Sequence, residues 1–253
     1  MITEVFIEQK FDFISFLGDI HGDYDFITWY LRQHKLENIM IIQVGDFQVG
    51  FNGRKGYEKA SLKQVNKFLK EKKCRVFAFR GNHDNPAFFE EDKFEFSNIH
   101  FIKDYSILNC TINTEKIRVL CIGGAISIDR KKQDARGHWF PDEVMKFITD
   151  EEELKKISNI NIIATHTAPS FLPPFMFSQL VFSYSRKDET LLDELIKERD
   201  ALTKMMRVIF ENNKDTLTNY FYGHFHYSET FHYENVHAEL LKQRQVYSLQ
   251  MFY

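Results

Sequence analysis

Acidic and imidazole side chains follow short apolar runs at several points in this 253-residue sequence. The stretch GDIHGDY, residues 18–24, places Asp19 and His21 two positions apart, directly after the apolar run FISFL. A carboxylate at the end of a buried strand costs desolvation free energy unless it has a partner. The polar residues that follow apolar runs are Asp19, His21, Asp46, Asn82, His83, Asp84, His166, His224 and His226. Carboxylates, imidazoles and one amide oxygen, without a thiolate, suit Mn, Fe, Zn, Ni or Co, so metal ions are the predicted partner.

The charges of such a metal site favour phosphate as the substrate group. Two divalent ions contribute about +4, the carboxylates of Asp19 and Asp46 about −2 and a shared hydroxide about −1, which leaves about +1. Ions ~3.5–4 Å apart lower the pKa of a shared water toward ~7, so that it is present as hydroxide, and they bind the attacking and leaving oxygens of a displacement at phosphorus. A centre with this charge should therefore attract a phosphate group.

Short apolar runs that end in glycine or polar loops predict the strands that position these residues. The predicted strands are 13–17, 39–44, 75–79, 117–122, 160–165 and 218–222. Helical periodicity predicts helices at about 24–36, 57–72 and 188–211 and helix starts in 141–148 and 150–157, and residues 236–252 return to strand-like alternation. Alternating strands and helices indicate an α/β protein, in which ligands bind at the carboxyl ends of the strands. Since no repeat or linker interrupts the chain, we expect one domain, residues 1–253.

The composition excludes several classes of protein. Hydrophobic residues make up 43% and charged residues 27% of the chain, as in a globular domain. The net charge of −3 gives no global basic field, so the sequence offers no strong evidence for binding to duplex nucleic acid. No apolar run is long enough to span a bilayer, and the three cysteines show no disulfide or CxxC pattern, so we expect a cytoplasmic protein that does not bind membranes. The sequence leaves the oligomeric state open.

Five ordered motifs carry a resemblance to a known family. GDxHG, GDF, GNHD, THTAP and GHFH occur in this order between residues 18 and 226. This order resembles that of the calcineurin-like metallophosphoesterases. The resemblance implies two packed mixed β-sheets flanked by helices. It also implies two divalent metal ions, with manganese favoured, and hydrolysis of phosphomonoesters or phosphodiesters by a hydroxide that bridges the two ions.

The resemblance also implies a role for each motif residue. One metal ion would be held by Asp19, His21, Asp46 and His226, and the second by Asp46, Asn82, His166 and His224, so that Asp46 bridges them. His83 would protonate the leaving oxygen, with Asp84 orienting it. Two alternatives stay open: His83 only supports Asn82, and Asp84 is the N-cap of a helix that begins in PAFFEE.

The sequence departs from some relatives in the residues that contact phosphate. GDFQVGF stands where Ser/Thr phosphoprotein phosphatases have GDxVDRG, so their phosphate-binding arginine is absent. THTAP replaces the more common GHTP but keeps His166. The candidate phosphate-binding residues are Arg54, Arg130 and Arg136, with Asp129 orienting one of the last two. The alternative for DRKKQDAR is a solvated basic loop.

The aromatic segment 168–187, interrupted by prolines, is either a loop packed on the core or a lid over the site. The favoured substrate is a small or nucleotide-like phosphate ester. A nuclease acting on a short single strand is an alternative within the enzymes. A non-catalytic scaffold that binds a partner protein is the alternative outside them. The presence of every predicted ligand and of His83 argues against the scaffold.

Overall fold

The computed structural model describes residues 2–51, 55–90, 94 and 96–249, and two β-sheets form its centre. The five-stranded sheet has the order β12 (Val246–Leu249), β2 (Phe13–Leu17), β3 (Ile39–Gln43), β4 (Arg75–Ala78) and β5 (Ile99–Phe101). Strands β2 to β5 are parallel to one another, and β12 pairs antiparallel with β2. The carboxyl ends of β2, β3 and β4 therefore meet at one edge of this sheet.

The second sheet has seven strands in the order β1 (Thr3–Phe11), β6 (Ser106–Ile112), β7 (Glu115–Ile122), β8 (Ile162–Thr165), β9 (Asn219–Tyr222), β11 (Val236–Leu240) and β10 (Glu229–Tyr233). Strands β7, β8, β9 and β11 are parallel, whereas β6 and β10 pair antiparallel with their neighbours β7 and β11. Both sheets are therefore mixed, which confirms the predicted fold class.

Helices cover the outer faces of the two sheets. The helices are α1 (Asp25–Gln33), α2 (Lys55–Glu71), α3 (Ala87–Glu90), α4 (Arg130–Asp134), α5 (Glu151–Lys155), α6 (Gln179–Ser185) and α7 (Leu191–Asn212). Apolar side chains of α1 and α3 join the core on the outer face of the five-stranded sheet, and those of α5 and α7 join the core of the seven-stranded sheet. The layers are thus helices, sheet, sheet and helices.

A continuous apolar core fills the space between the sheets. Side chains from β2, β3 and β4 meet those from β6, β7, β8 and β9 in one buried cluster. The rings of Phe16 and Phe221 stack across the interface with their centroids 3.7 Å apart, and both side chains are fully buried. Burying one such side chain contributes about 1.5–3 kcal/mol, so this core holds the two sheets in a fixed relation.

The six strands predicted from apolar runs are all present, with ends shifted by at most two residues. The long helix predicted for 188–211 begins at Leu191 and ends at Asn212. Strands β1, β5, β6 and β10 were not predicted. In β1 and β10, buried or half-buried residues alternate with exposed ones, so neither strand contains a long apolar run. No helix within the described residues is both long and apolar enough to cross a membrane.

The helix predicted in residues 141–148 is wrong, because the structure contains only one 3-10 turn, Pro141–Glu143. The guanidinium of Arg80, buried at the end of β4, donates to the main-chain carbonyls of Asp142, Glu143 and Val144 at 3.0, 2.6 and 2.9 Å. A helix would need these carbonyls for its own hydrogen bonds. Arg80 also forms an ion pair with Asp104, with Nη2 and Oδ2 2.7 Å apart.

We expect Arg80→Met to lower the free energy of unfolding by about 3–5 kcal/mol, because it breaks the ion pair with Asp104 and removes the guanidinium donor from Asp104 Oδ2 and from the carbonyls of Asp142 and Val144. Lys72→Met is the matched control, since it breaks the exposed pair with Glu37 and should cost at most ~1 kcal/mol. Urea denaturation of both variants measures the difference. Equal effects of the two substitutions would contradict this role for Arg80.

Candidate active site

The predicted metal ligands lie just beyond the carboxyl ends of parallel strands. Asp19 and His21 follow β2, Asp46 follows β3, Asn82 follows β4, His166 follows β8, and His224 and His226 follow β9. The five-stranded sheet supplies the first four residues and the seven-stranded sheet the other three. The structure therefore brings all seven to the place where the ends of both sheets meet.

Four of these residues form one compact group of ligand atoms. One atom from each of Asp19, His21, Asp46 and His226 lies within 4.8 Å of the others. His226 Nε2 is 3.1 Å from His21 Nε2 and 3.2 Å from Asp19 Oδ2. His21 Nε2 is 3.8 Å from Asp46 Oδ2. This group is a possible metal-binding site.

The other three residues form a second group, which reaches the second carboxylate oxygen of Asp46 through His166. Asn82 Oδ1 is 3.0 Å from His166 Nε2 and 2.8 Å from His224 Nδ1. His166 Nε2 in turn is 3.3 Å from Asp46 Oδ1. Asp46 therefore directs Oδ2 toward the first group and Oδ1 toward the second.

Two buried carboxylate oxygens show that the first group suits a cation. Asp19 and Asp46 are at most 1% exposed, and the Oδ2 atom of each lacks a donor with hydrogen-bond geometry. A buried carboxylate oxygen without a donor is costly. A divalent ion between these two oxygens and the two imidazole nitrogens would satisfy them, and oxygen with imidazole nitrogen is a suitable donor set for it.

Neighbouring groups orient the ligands of the second group. His166 Nδ1 is 2.8 Å from the carbonyl of Val44, an acceptor that orients the ring so that Nε2 faces Asn82 and Asp46. Asn82 Nδ2 donates to Ser127 Oγ at 2.9 Å, so its Oδ1 faces the histidines. Ser127 Oγ donates to the buried Glu143 carboxylate at 2.8 Å. The sequence analysis missed Ser127 and Glu143, because neither belongs to a motif.

Burial keeps two of the imidazoles in the form that binds metals. The pKa of His224 lies well below its usual value, because burial disfavours the charged ring. Burial also lowers the pKa of His21, although Asp46 and Asp19 oppose this effect. Neutral imidazole is the ligand form of histidine, so both rings are ready to coordinate near neutral pH.

The backbone at the site adopts left-handed conformations at residues other than glycine. The φ angles are 46° at His21, 56° at Asp46, 71° at His224 and 59° at His226. Such conformations cost about 1 kcal/mol or more each and persist only where the surrounding structure fixes them. Their coincidence with four candidate ligands indicates that the loops are shaped to turn these side chains inward.

Gly81 allows the loops after β3 and β4 to approach each other closely. A Cβ atom at this position would lie 2.1 Å from Asp46 Oδ1 and 2.3 Å from Asp46 N. The loop at Gly81 could not accept a methyl group without moving Asp46. This close contact explains why a residue without a side chain occupies position 81.

We expect Gly81→Ala to weaken metal binding by about 10-fold or more, because the new methyl group displaces Asp46. Gly137→Ala is the matched control: Gly137 has a φ of 69°, but an added Cβ would meet no atom within 4 Å. That variant should lose about 1 kcal/mol of stability and keep its metal affinity. Calorimetric titration with Mn²⁺ measures both, and unchanged affinity in Gly81→Ala would contradict the prediction.

His83 lies beside both ligand groups. Its backbone N–H donates to Asp46 Oδ1 at 2.8 Å. Its ring packs edge-on against His21, with the centroids 5.3 Å apart, and against Phe51 at 5.0 Å. The side chain lines the cavities on both sides of the candidate centre. This position suits a group that contacts a bound substrate.

The carboxylate of Asp84 contacts backbone groups of two loops rather than the ring of His83. Its carboxylate accepts hydrogen bonds from the backbone N–H groups of Gly81, Val49 and Phe47, at 2.7, 2.9 and 3.2 Å. Within the described residues it accepts none from the His83 ring, and Asn85 rather than Asp84 accepts from the first turn of α3. Burial raises the pKa of Asp84 to about 6, and the nearby Asp46 adds to this effect. Asp84 therefore joins the loops after β3 and β4.

The three candidate arginines have different positions. Arg54 lies outside the described residues. Arg130 lines neither cavity of the described part of the chain, because Asp188, Thr190 and Glu194 bind its guanidinium. Arg136 lines the cavity that contains His21 and His83. Asp129 accepts from Gln133 at 2.8 Å and orients neither arginine in the described structure. Of the two candidate arginines that the structure describes, only Arg136 lines a cavity beside the candidate centre.

Two cavities flank the candidate centre. The polar cavity, ≈ 630 Å³ and open to solvent, is lined by Asp19, His21, Asp23, Gln48, Phe51, His83, Gln133, Arg136, His138, His226, Gln243 and Arg244. The other, ≈ 450 Å³, extends from Asp46 and His83 to apolar side chains of α6 and α7; we call it the lid cavity. It also contains Glu198 and Arg199 of α7, which the sequence analysis did not single out.

The fold and this site define the class of protein. Two mixed sheets between helices, with carboxylates and imidazoles at the strand ends, are the architecture of a metallophosphoesterase, an enzyme that hydrolyses phosphate esters. The chain matches the family model for calcineurin-like phosphoesterases over residues 14–228, and it belongs to that family. The resemblance inferred from the five motifs is therefore confirmed.

Solved structures resemble this chain at low sequence identity. A Staphylococcus aureus protein assigned as a 5'-nucleotidase has 13% identity and a TM-score of 0.50; the match covers 92% of this chain and 50% of that one. This chain thus spans about half the length of that protein. The phosphopantetheinyl hydrolase of Mycobacterium tuberculosis has 12% identity and a TM-score of 0.46, covering 92% of this chain and 91% of that one. The protein TT1561 of Thermus thermophilus has 10% identity and a TM-score of 0.48, and the match covers 95% of this chain and 99% of that one. No curated protein sequence matches this chain.

Proposed function

We propose that this protein is a dinuclear metal-dependent phosphoesterase that hydrolyses phosphomonoesters or phosphodiesters of small or nucleotide-like molecules. The observation that supports this proposal most is the position of Asp46, whose two oxygens face two separate groups of ligand atoms. Asp19, His21 and His226 would complete one metal site, and Asn82, His166 and His224 the other. We further propose that residues 1–253 form one domain, with the segment 168–187 as a lid beside the site.

Two divalent ions, with Mn²⁺ favoured, would supply a nucleophilic water activated at neutral pH and positive charge for the phosphate oxygens. The chain itself holds the ligands in place through the hydrogen bonds of His166, Asn82 and Ser127. Arg136, which lines the polar cavity, is placed to bind a phosphate oxygen or a second charged group of the substrate. We assign Arg130 a structural role, because two carboxylates neutralise it.

His83 is proposed as the acid that donates a proton to the leaving oxygen. Its backbone hydrogen bond to Asp46 fixes the residue next to the site, and its ring faces both cavities. The loop that carries it is held by the three backbone hydrogen bonds of Asp84. Asp84 therefore acts on His83 through the loop rather than through the imidazole ring.

Hydrolysis of p-nitrophenyl phosphate and bis-p-nitrophenyl phosphate tests the proposal. We expect the protein to bind two Mn²⁺ ions per chain by elemental analysis and to hydrolyse at least one of the esters, and we expect EDTA to remove both properties. Activity on the monoester alone identifies a phosphatase, and activity on the diester alone identifies a phosphodiesterase or nuclease. Absence of activity on both with two ions bound would overturn the proposed function and support a protein-binding scaffold.

A further inference from the structure

The lid cavity joins the candidate metal centre to an apolar chamber. At one end it is lined by residues of both ligand groups and by His83: Asp46, Asn82, His83, His224 and His226. At the other end its walls are Leu180, Val181 and Tyr184 of α6 and Leu195 of α7. The chamber is therefore within reach of a group attached to a phosphate at the centre.

The wall of the chamber is fixed to α7 by polar contacts. The guanidinium of Arg199 donates to the carbonyls of Pro169, Leu172 and Pro174, at 3.0 Å for Pro169 and 2.9 Å for Leu172. Thr203 of α7 accepts a hydrogen bond from the backbone N–H of Ser170 at 2.7 Å. The segment that follows, including α6, therefore begins from a firmly held position. A pre-formed chamber of this kind suits binding, because little of it needs to be ordered when the substrate enters.

The charges around the chamber disfavour a second anionic group. Asp129 and Glu198 line it, and Glu198 is only 5% exposed with an Oε1 that accepts no hydrogen bond. Arg199, the only cation among its described lining residues, uses both terminal nitrogens for the three carbonyls. A phosphate or carboxylate in the chamber would find both terminal nitrogens of Arg199 already bound to carbonyls and its Nε buried. The polar cavity on the other side of His83, by contrast, contains Arg136 and Arg244.

We propose that the lid cavity binds an uncharged aromatic or branched aliphatic substituent of the phosphate ester whose phosphoryl group lies at the metal centre. This inference rests on the proposed function and specifies its substrate class. Binding of such a group removes apolar surface from water on both partners, which gives affinity without a further charged contact. The apolar substituent of the substrate would then lie in the lid cavity, and the opposite side of the phosphate would face the polar cavity.

Binding of simple phosphonates to the Mn²⁺-loaded protein tests this inference without any catalytic turnover. Isothermal titration compares methylphosphonate, phenylphosphonate and 4-carboxyphenylphosphonate, which present the same phosphonate group. We expect phenylphosphonate to bind about 10-fold or more tighter than methylphosphonate, because the ring fills the chamber. 4-Carboxyphenylphosphonate should lose most of the affinity that the phenyl ring adds over the methyl group. Equal affinities for the methyl and phenyl compounds would overturn this inference and leave the proposed function intact. Absence of binding by any of the three would overturn both.

Two substitutions on α6 test whether the ring of phenylphosphonate binds in the lid cavity. Leu180 lines the lid cavity and is 57% exposed, whereas Phe182 is 46% exposed and lies outside the described lining. Because both side chains are largely exposed, polar replacements should leave the fold intact. We expect Leu180→Gln to reduce the ratio of phenyl to methyl affinity by about 3-fold or more, and Phe182→Gln to change it by less than ~2-fold. An equal effect of the two substitutions would contradict binding in this cavity.

Discussion

Asp46→Asn is expected to remove both metal ions from the protein and to abolish its hydrolytic activity. The two oxygens of Asp46 face the two ligand groups, so loss of its negative charge weakens both sites at once. The side chain is buried, and the substitution is nearly isosteric, so the fold should persist. We expect kcat/KM to fall by about 10³-fold or more, since each ion contributes several kcal/mol of charge stabilisation. Elemental analysis and hydrolysis of the better p-nitrophenyl ester measure the two effects.

Two further variants separate a bridging role from a general loss of charge. Asp19→Asn should weaken the first site more than the second, because among the described side-chain contacts Asp19 faces His21 and His226. Asp23→Asn is the matched control: Asp23 lines the polar cavity but pairs with Arg244, so its removal should leave two ions bound. If Asp46→Asn kept two tightly bound ions, the shared position of Asp46 would not be functional.

His83→Ala is expected to lower kcat by ~10²–10⁴-fold while leaving the metal content near two ions per chain. The imidazole of His83 lies next to the ligand groups but is absent from the compact group of ligand atoms. Only its backbone N–H contacts Asp46 through a described hydrogen bond, and alanine preserves that contact. The loss should therefore fall on proton transfer to the leaving oxygen rather than on metal binding.

The choice of leaving group makes this prediction specific. p-Nitrophenolate departs without a proton, whereas the phenolate of a phenyl ester depends more on an acid. The defect in His83→Ala should therefore be at least ~10-fold larger for the phenyl ester than for the p-nitrophenyl ester. His138→Ala is the control, because His138 lines the same polar cavity and should affect both esters alike. If His83→Ala instead lost its metal ions, this result would favour the alternative in which His83 only supports Asn82.

The candidate site was largely predictable from the sequence because each of its ligands follows an apolar run. The carboxyl end of a buried parallel strand is a fixed place in an α/β fold, so a polar residue found there has a predictable location. Asp19, Asp46 and His166 were placed in this way. Which atoms face each other, such as Asn82 Oδ1 and His224 Nδ1, depends on loops whose left-handed residues carry no clear sequence signal.

The contacts that the sequence analysis did not predict join residues that are distant in the chain. Arg130 lies in a basic stretch, but its partners Asp188 and Glu194 are about 60 residues away in the chain. Asp84 belongs to a motif, yet its carboxylate binds the backbone of the neighbouring strand loop. The helix predicted to start in 141–148 is absent, because the guanidinium of Arg80 forms hydrogen bonds with the main-chain carbonyls of residues 142–144. Local patterns do not specify such tertiary hydrogen bonds, which override the propensity of a short segment.

The ligands come from both sheets, and this has a consequence for the stability of the whole molecule. Asp19 and His21 belong to the five-stranded sheet, whereas His166, His224 and His226 belong to the seven-stranded sheet. A bound ion would thus act as a cross-link between the amino-terminal and carboxyl-terminal parts of the polypeptide. A chelator would remove this cross-link. Its binding free energy adds to that of folding, so the melting temperature should rise with the concentration of free metal.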